Sequence, residues 1–280
     1  MRTINSEVIT NTVKQLCIDA NYYLPEDIRN GICMAIDKEI SPTGKDVLNC
    51  IKENYLIAQD KKMAICQDTG MAVFFVEIGN EVHIEGKTIT DAINDGVALG
   101  YEEGYLRKSI VKDPLNRINT GNNTPAVIHY SYTYGDKISI TIAPKGFGSE
   151  NMSAIRMFSP SAGRKGIIEF VTETVENAGS NPCPPIVVGV GIGGNFESCA
   201  MLAKKALTRD ISSANPDEFY KEMENELLDK INNLGIGPQG FGGTVTALGV
   251  NIETAPTHIA GMPCAVNISC HVTRHKTSVI

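Results

Sequence analysis

The sequence has no tract of five or more basic residues, and its 280 residues carry a formal charge of -7. Phosphate recognition needs a clustered basic surface, so nucleic acid is not expected as a partner. No uninterrupted run of about 18 apolar residues is present, and no membrane span is expected. The opening Met1-Arg2-Thr3-Ile4-Asn5-Ser6-Glu7 lacks the apolar centre of a secretory signal, which points to a cytoplasmic protein. Internal repeats, low-complexity segments and clear linkers are also missing. Cysteine pairs spaced C-x2-C, the mark of zinc ribbons and ferredoxins, do not occur. What is there is 42% hydrophobic and 20% charged, enough for a substantial core. One domain over 1–280 is the simplest organisation, of mixed α/β class, with a helical N-terminal part at roughly 1–60.

Hydrophobic periodicity predicts three helices across 6–60: Val8, Ile9, Val13, Leu16 and Ala20 mark the first, and Ile28, Ile32 and Ile36 the second. Ser41-Pro42 caps the third. An apolar strand is predicted over 71–78 and a helix over 91–109, with Arg107 near its end. Runs 127–134 and 137–143 around Gly135-Asp136 read as a β-hairpin. Further helices are predicted over 163–177, 195–207 and 216–233, with strands over 186–190, 245–254 and 264–272, the last carrying Cys270.

Eight cysteines are many for a reducing compartment, where the alternatives are buried thiols and metal ligands. Cys17, Cys33 and Cys50 fall in the N-terminal helices, Cys199 in a helix and Cys264 at a strand start, all settings that suit packing. Three others sit where packing gives no reason for a thiol. Cys66 opens the polar turn Cys66-Gln67-Asp68-Thr69-Gly70. Cys183 lies among prolines in Asn181-Pro182-Cys183-Pro184-Pro185, and Cys270 precedes His271. Proline stiffens the backbone around a ligand. We read these three as ligands of one iron–sulfur cluster; a zinc-stabilised binding module using the same thiols is the competing interpretation. Three thiolates on a four-iron cluster leave one iron free to act as a Lewis acid on a hydroxyl and a carboxylate. Asp68 is then the candidate proton donor or acceptor, or else simply a turn aspartate. Arg107 is the candidate clamp for an anionic substrate.

Gly189-Val190-Gly191-Ile192-Gly193-Gly194 fits G-x-G-x-x-G between a strand and a helix, as a dinucleotide site requires. Asp210 stands near the distance of the expected ribose-binding acid, but Arg209-Asp210-Ile211-Ser212-Ser213 does not read as a strand end. The glycines are expected instead to let the strand end approach a cluster or substrate.

Cys66-Gln67-Asp68-Thr69-Gly70, Lys145-Gly146-Phe147-Gly148-Ser149-Glu150-Asn151, Val188-Gly189-Val190-Gly191-Ile192-Gly193-Gly194 and Cys270-His271 together resemble a known family. The chain is similar, over nearly its whole length, to the α-subunit of two-subunit class I fumarate hydratases and L-tartrate dehydratases. The resemblance implies the fold of a class I fumarase N-terminal domain and a [4Fe-4S] cluster on Cys66, Cys183 and Cys270. It implies that Gln67, Asp68, Arg107, Gly148 and His258 line a dicarboxylate pocket, with Asp68 moving a proton. It also implies a β-subunit bearing the C-terminal catalytic domain, in an α2β2 assembly. Fumarate is the expected substrate and L-tartrate the alternative.

Overall fold

The computed structural model describes residues 1–280. In chain order its strands and helices are β1 (Arg2–Asn5), α1 (Ser6–Tyr22), α2 (Glu26–Lys38), α3 (Pro42–Lys61), β2 (Met71–Gly79), β3 (Val82–Glu85) and α4 (Ile89–Glu103). There follow β4 (Val127–Thr133), β5 (Ile138–Lys145), the single turn α5 (Phe147–Glu150), β6 (Ala154–Phe158), α6 (Gly163–Ala178) and β7 (Ile186–Gly194). The chain ends with α7 (Phe196–Ala206), α8 (Glu218–Asn232), β8 (Ala247–Thr257), β9 (Met262–Ser269) and β10 (Lys276–Val279). The class is mixed α/β, as the periodicity predicts.

The chain divides into two compact units. One comprises 1–25, 55–147 and 274–280, the other 26–54 and 148–273. The first is built on a four-stranded sheet of order β10-β5-β2-β4. Strand β2 is buried on both faces at Ala72, Val73, Phe74 and Val76, so it needs partners on both edges. It finds them in β4, parallel, and β5, antiparallel. The predicted β4–β5 hairpin is therefore not formed: β2 lies between its two arms. The connection wraps round the end of β2, where Gly79 N–H donates to Lys137 O at 2.8 Å. A Cβ on Gly79 would lie 2.3 Å from Gly135 O, which explains glycine there. Helices α1 and α4 supply Ile9, Val13, Leu16, Ile93, Val97 and Tyr101 to the core of this unit.

The second unit has a sheet of order β6-β9-β7-β8, with β7 and β8 parallel and β9 antiparallel to β7. Val188, Val190, Ile252, Val266 and Ile268 pack there with Phe170, Val171 and Leu227 of the helices. The glycines of the G-x-G-x-x-G run serve this packing. A Cβ on Gly189 would meet Ala203 O of α7 at 2.1 Å, and one on Gly191 would meet Cys199 O at 2.1 Å. The glycines thus bring α7 down onto β7. The segment 208–217 that follows contains no strand, so no second dinucleotide-binding strand exists at Asp210.

Candidate functional site

The Cys66–Gly70 turn joins the end of α3 to β2. It is held from below by its carbonyls. Tyr101 Oη donates to Thr69 O (2.9 Å) and Gly70 O (3.1 Å), and Asn123 Nδ2 donates to Gly70 O (3.2 Å). Thr69 is itself buried, its hydroxyl donating to Arg107 O at 3.1 Å. With the carbonyls turned inward, the side chains of Cys66 and Asp68 are left half-buried and that of Gln67 exposed. Gln67 Oε1 lies 3.4 Å from Cys66 Sγ.

Asp68 is gripped through its carboxylate. Oδ1 accepts from Gly70 N–H at 3.1 Å and Oδ2 from Phe147 N–H at 2.9 Å. Two glycines permit this. Gly70, at φ 77°, lies so close to the Lys145 backbone that a Cβ would be 2.7 Å from its carbonyl carbon. A Cβ on Gly146 would be 3.0 Å from Asp68 Oδ2. In this unit, then, the glycine-rich segment after β5 serves Asp68 through Gly146. Arg107 is exposed, and its position corrects the predicted helix: α4 stops at Glu103, and Tyr105 takes φ 47°. The helix ends where Tyr105 takes this left-handed conformation and lets Leu106 N–H return to Tyr101 O at 3.0 Å. Arg107 thus lies in irregular chain, fixed through its backbone.

In the second unit, Cys183 and Cys270 come together at one end of the sheet. Cys270 falls just after β9, not within a strand as predicted, and Val187 pairs with Ser269 across the β7–β9 ladder. His271 bridges the two loops. Its backbone N–H and its Nδ1 both reach Cys183 O, at 3.4 and 3.0 Å. The same Nδ1 lies 3.2 Å from Gln239 Nε2, so one ring nitrogen faces both a carbonyl acceptor and an amide donor. Gln239 adds two bonds to Pro184 O, from its amide N–H (2.8 Å) and Nε2 (2.7 Å). Cys183 is exposed and sits at φ 56°, a conformation that costs a residue other than glycine about 1–3 kcal/mol. Sequence reasoning missed the bridging role of His271 and Gln239.

Gly148 is exposed, with no atom nearer than Asn181 O, 3.9 Å from where a Cβ would stand. Glu150, two residues on, fastens this segment. It accepts from Lys204 Nζ at 2.5 Å and from Asn267 Nδ2 at 2.8 Å, the latter on β9 just ahead of Cys270. His258 is exposed in the turn after β8, and its Nδ1 accepts from Ala260 N–H at 3.2 Å, so the neutral ring bears its proton on Nε2.

Of the other cysteines, Cys17, Cys199 and Cys264 are sealed in the core. Burial pushes the Cys264 thiol up to about 12 and raises those of Cys17 and Cys199. Cys33 is half-buried, and Cys50 is exposed on α3 instead of packed.

The sequence profile of the family described as Fumarate hydratase (Fumerase) matches residues 10–279. The chain belongs to the fumarate hydratase family. As a member of that family it is a hydro-lyase, and its relatives fit this. It is 44% identical, over 95% of each chain, to a Methanocaldococcus jannaschii protein provisionally named L(+)-tartrate dehydratase subunit alpha. It is 32% identical to the L(+)-tartrate dehydratase subunit alpha of Escherichia coli strain K12, over 92% of this chain and 86% of the relative. The Shigella sonnei protein of that name gives the same values. For a fumarate hydratase family member the cluster question turns on its thiols. No three Cys, His, Asp or Glu side chains enclose a common metal position. The donors fit in kind, because Cys66, Cys183 and Cys270 stand on polar turns with their sulfurs outside the core.

Proposed function

We propose that this chain is the cluster-binding subunit of a hydro-lyase that adds water reversibly across the double bond of fumarate to give malate. Cys66, Cys183 and Cys270 would hold a [4Fe-4S] cluster. When bound, the cluster would supply Lewis-acid chemistry for the loss or gain of a hydroxyl beside a carboxylate. Asp68 moves the proton, its carboxylate already placed by the amides of Gly70 and Phe147. Arg107 offers an exposed guanidinium to a substrate carboxylate, Gln67 an amide, and His258 an Nε2–H. Gly148 leaves its backbone open to approach. The observation that carries this reading is the family match over residues 10–279, which runs through the turns bearing all three cysteines.

Dehydration of L(+)-tartrate is the second reading, favoured by the names of the relatives. The word subunit in those names supports a β-type partner that carries the rest of the catalytic apparatus, in an α2β2 assembly. No helix is long and apolar enough to cross a membrane, and we place the enzyme in the cytoplasm. Residues 1–280 would act as one catalytic module.

The test is anaerobic co-expression with a β-type subunit, followed by assays on fumarate, malate and L(+)-tartrate. The Asp68→Asn variant should lose about 100- to 10,000-fold in kcat while keeping its iron. The Cys183→Ser variant should lose the iron itself. A wild-type complex inert toward all three acids would refute the proposal.

A further inference from the structure

Three successive carbonyls of the Cys66–Gly70 turn are held by buried side chains, and one of the donors is out of keeping with the others. Tyr101 and Asn123, both 0% exposed, serve Thr69 O and Gly70 O as neutral donors. Asp68 O instead receives Arg274 Nη2. Arg274 is 4% exposed, joins no ion pair, and its Nε and Nη1 are buried without a hydrogen-bond partner. Burying a cation with no partner charge is strongly unfavourable. A neutral amide could satisfy one carbonyl at far lower cost. Packing alone therefore gives no reason for a guanidinium here; what it does is hold the carbonyl of Asp68, the residue proposed to move the proton.

We propose that Arg274 is a positioning residue, which locks the Asp68 peptide from inside the unit. Held this way, the Asp68 carboxylate stays on the amides of Gly70 and Phe147, aimed for proton transfer. The proposal takes the task of Asp68 from the function proposed above. The locking itself can be measured without any substrate.

The experiment is hydrogen exchange on the full chain, wild type against Arg274→Met and Arg274→Lys, with kinetics of the complex with its partner subunit. In Arg274→Met the amides of Gly70 and Phe147 should exchange at least about 10-fold faster, while those of Val73 to Val76 in β2 keep their protection. The melting temperature should not fall, since an apolar side chain replaces an unpaired charge. The kcat should drop about 10- to 100-fold with KM little changed, and Arg274→Lys should recover part of it. Unchanged protection at Gly70 and Phe147 overturns the proposal. So does protection lost evenly through β2 with a lower melting temperature, which would make Arg274 merely structural. A wild-type complex without hydro-lyase activity would sink the proposed function and leave the exchange result to stand or fall by itself.

Discussion

Whether a cysteine can bind metal depends first on whether its sulfur can be reached. Cys17, Cys199 and Cys264 are enclosed, and burial disfavours their thiolates. Cys66, Cys183 and Cys270 sit on turns. Alkylation of the cluster-free chain, read by mass spectrometry, should label these three and exposed Cys50 within minutes, and leave the enclosed three unmodified until the protein unfolds. Rapid labelling of Cys199 or Cys264 in the folded chain would contradict the packing described. The turn cysteines were legible in the sequence because prolines and clustered polar residues are a poor setting for a core thiol. Arg274 was not. Nothing in Val272-Thr273-Arg274-His275 distinguishes a buried guanidinium from a surface one, since what buries it is chain remote in sequence. His271 was singled out, but its bond to Cys183 O joins two loops that no spacing rule connects.

Among the elements, long helices with an apolar stripe were read well: α1, α2, α3, α6, α7 and α8 all stand close to where periodicity puts them. Strand pairing was read poorly. Two apolar runs around Gly135-Asp136 look like a hairpin, and only the demand of β2 for partners on both edges separates them. The short strands β1, β3, β6 and β10 have too few residues to show a period. The glycine motif in β7 was legible as a motif but not in purpose, since it is α7 that the glycines admit. Gly191→Ala should accordingly cost about 1–3 kcal/mol, because the added methyl meets helix backbone. Gly148→Ala, in open space, should leave the melting temperature unchanged. Equal thermal stability of the two variants would refute this role for the glycines.

The end of α2 offers a pH test. Glu39 is buried, and desolvation alone would raise its carboxyl. The N–H groups of Ser41, Thr244 and Val245 outweigh that and hold it below the ordinary value. A lowered carboxyl adds stability that is present above the unfolded value and is lost as pH falls through the folded one. Glu39→Gln should therefore be clearly less stable than wild type at neutral pH, and the gap should close below about pH 4. A gap independent of pH in denaturant titrations would argue against it.

For the molecule as a whole, membership of the fumarate hydratase family fixes the class of chemistry, and the distribution of the cysteines sets the demand on the fold. Cys66 lies in the unit built on β2, and Cys183 and Cys270 lie in the unit built on β7 and β9. No short sequence motif joins three cysteines so far apart in the chain, which is why spacing alone left zinc and iron–sulfur both open as the centre proposed for them. Chemical analysis of the metal decides between them. Purified anaerobically with its partner subunit, the chain should be brown, absorb broadly in the visible and carry about four irons each, all lost in Cys66→Ser, Cys183→Ser or Cys270→Ser. A colourless protein holding about one zinc per chain, with the same three substitutions releasing it, would contradict the account.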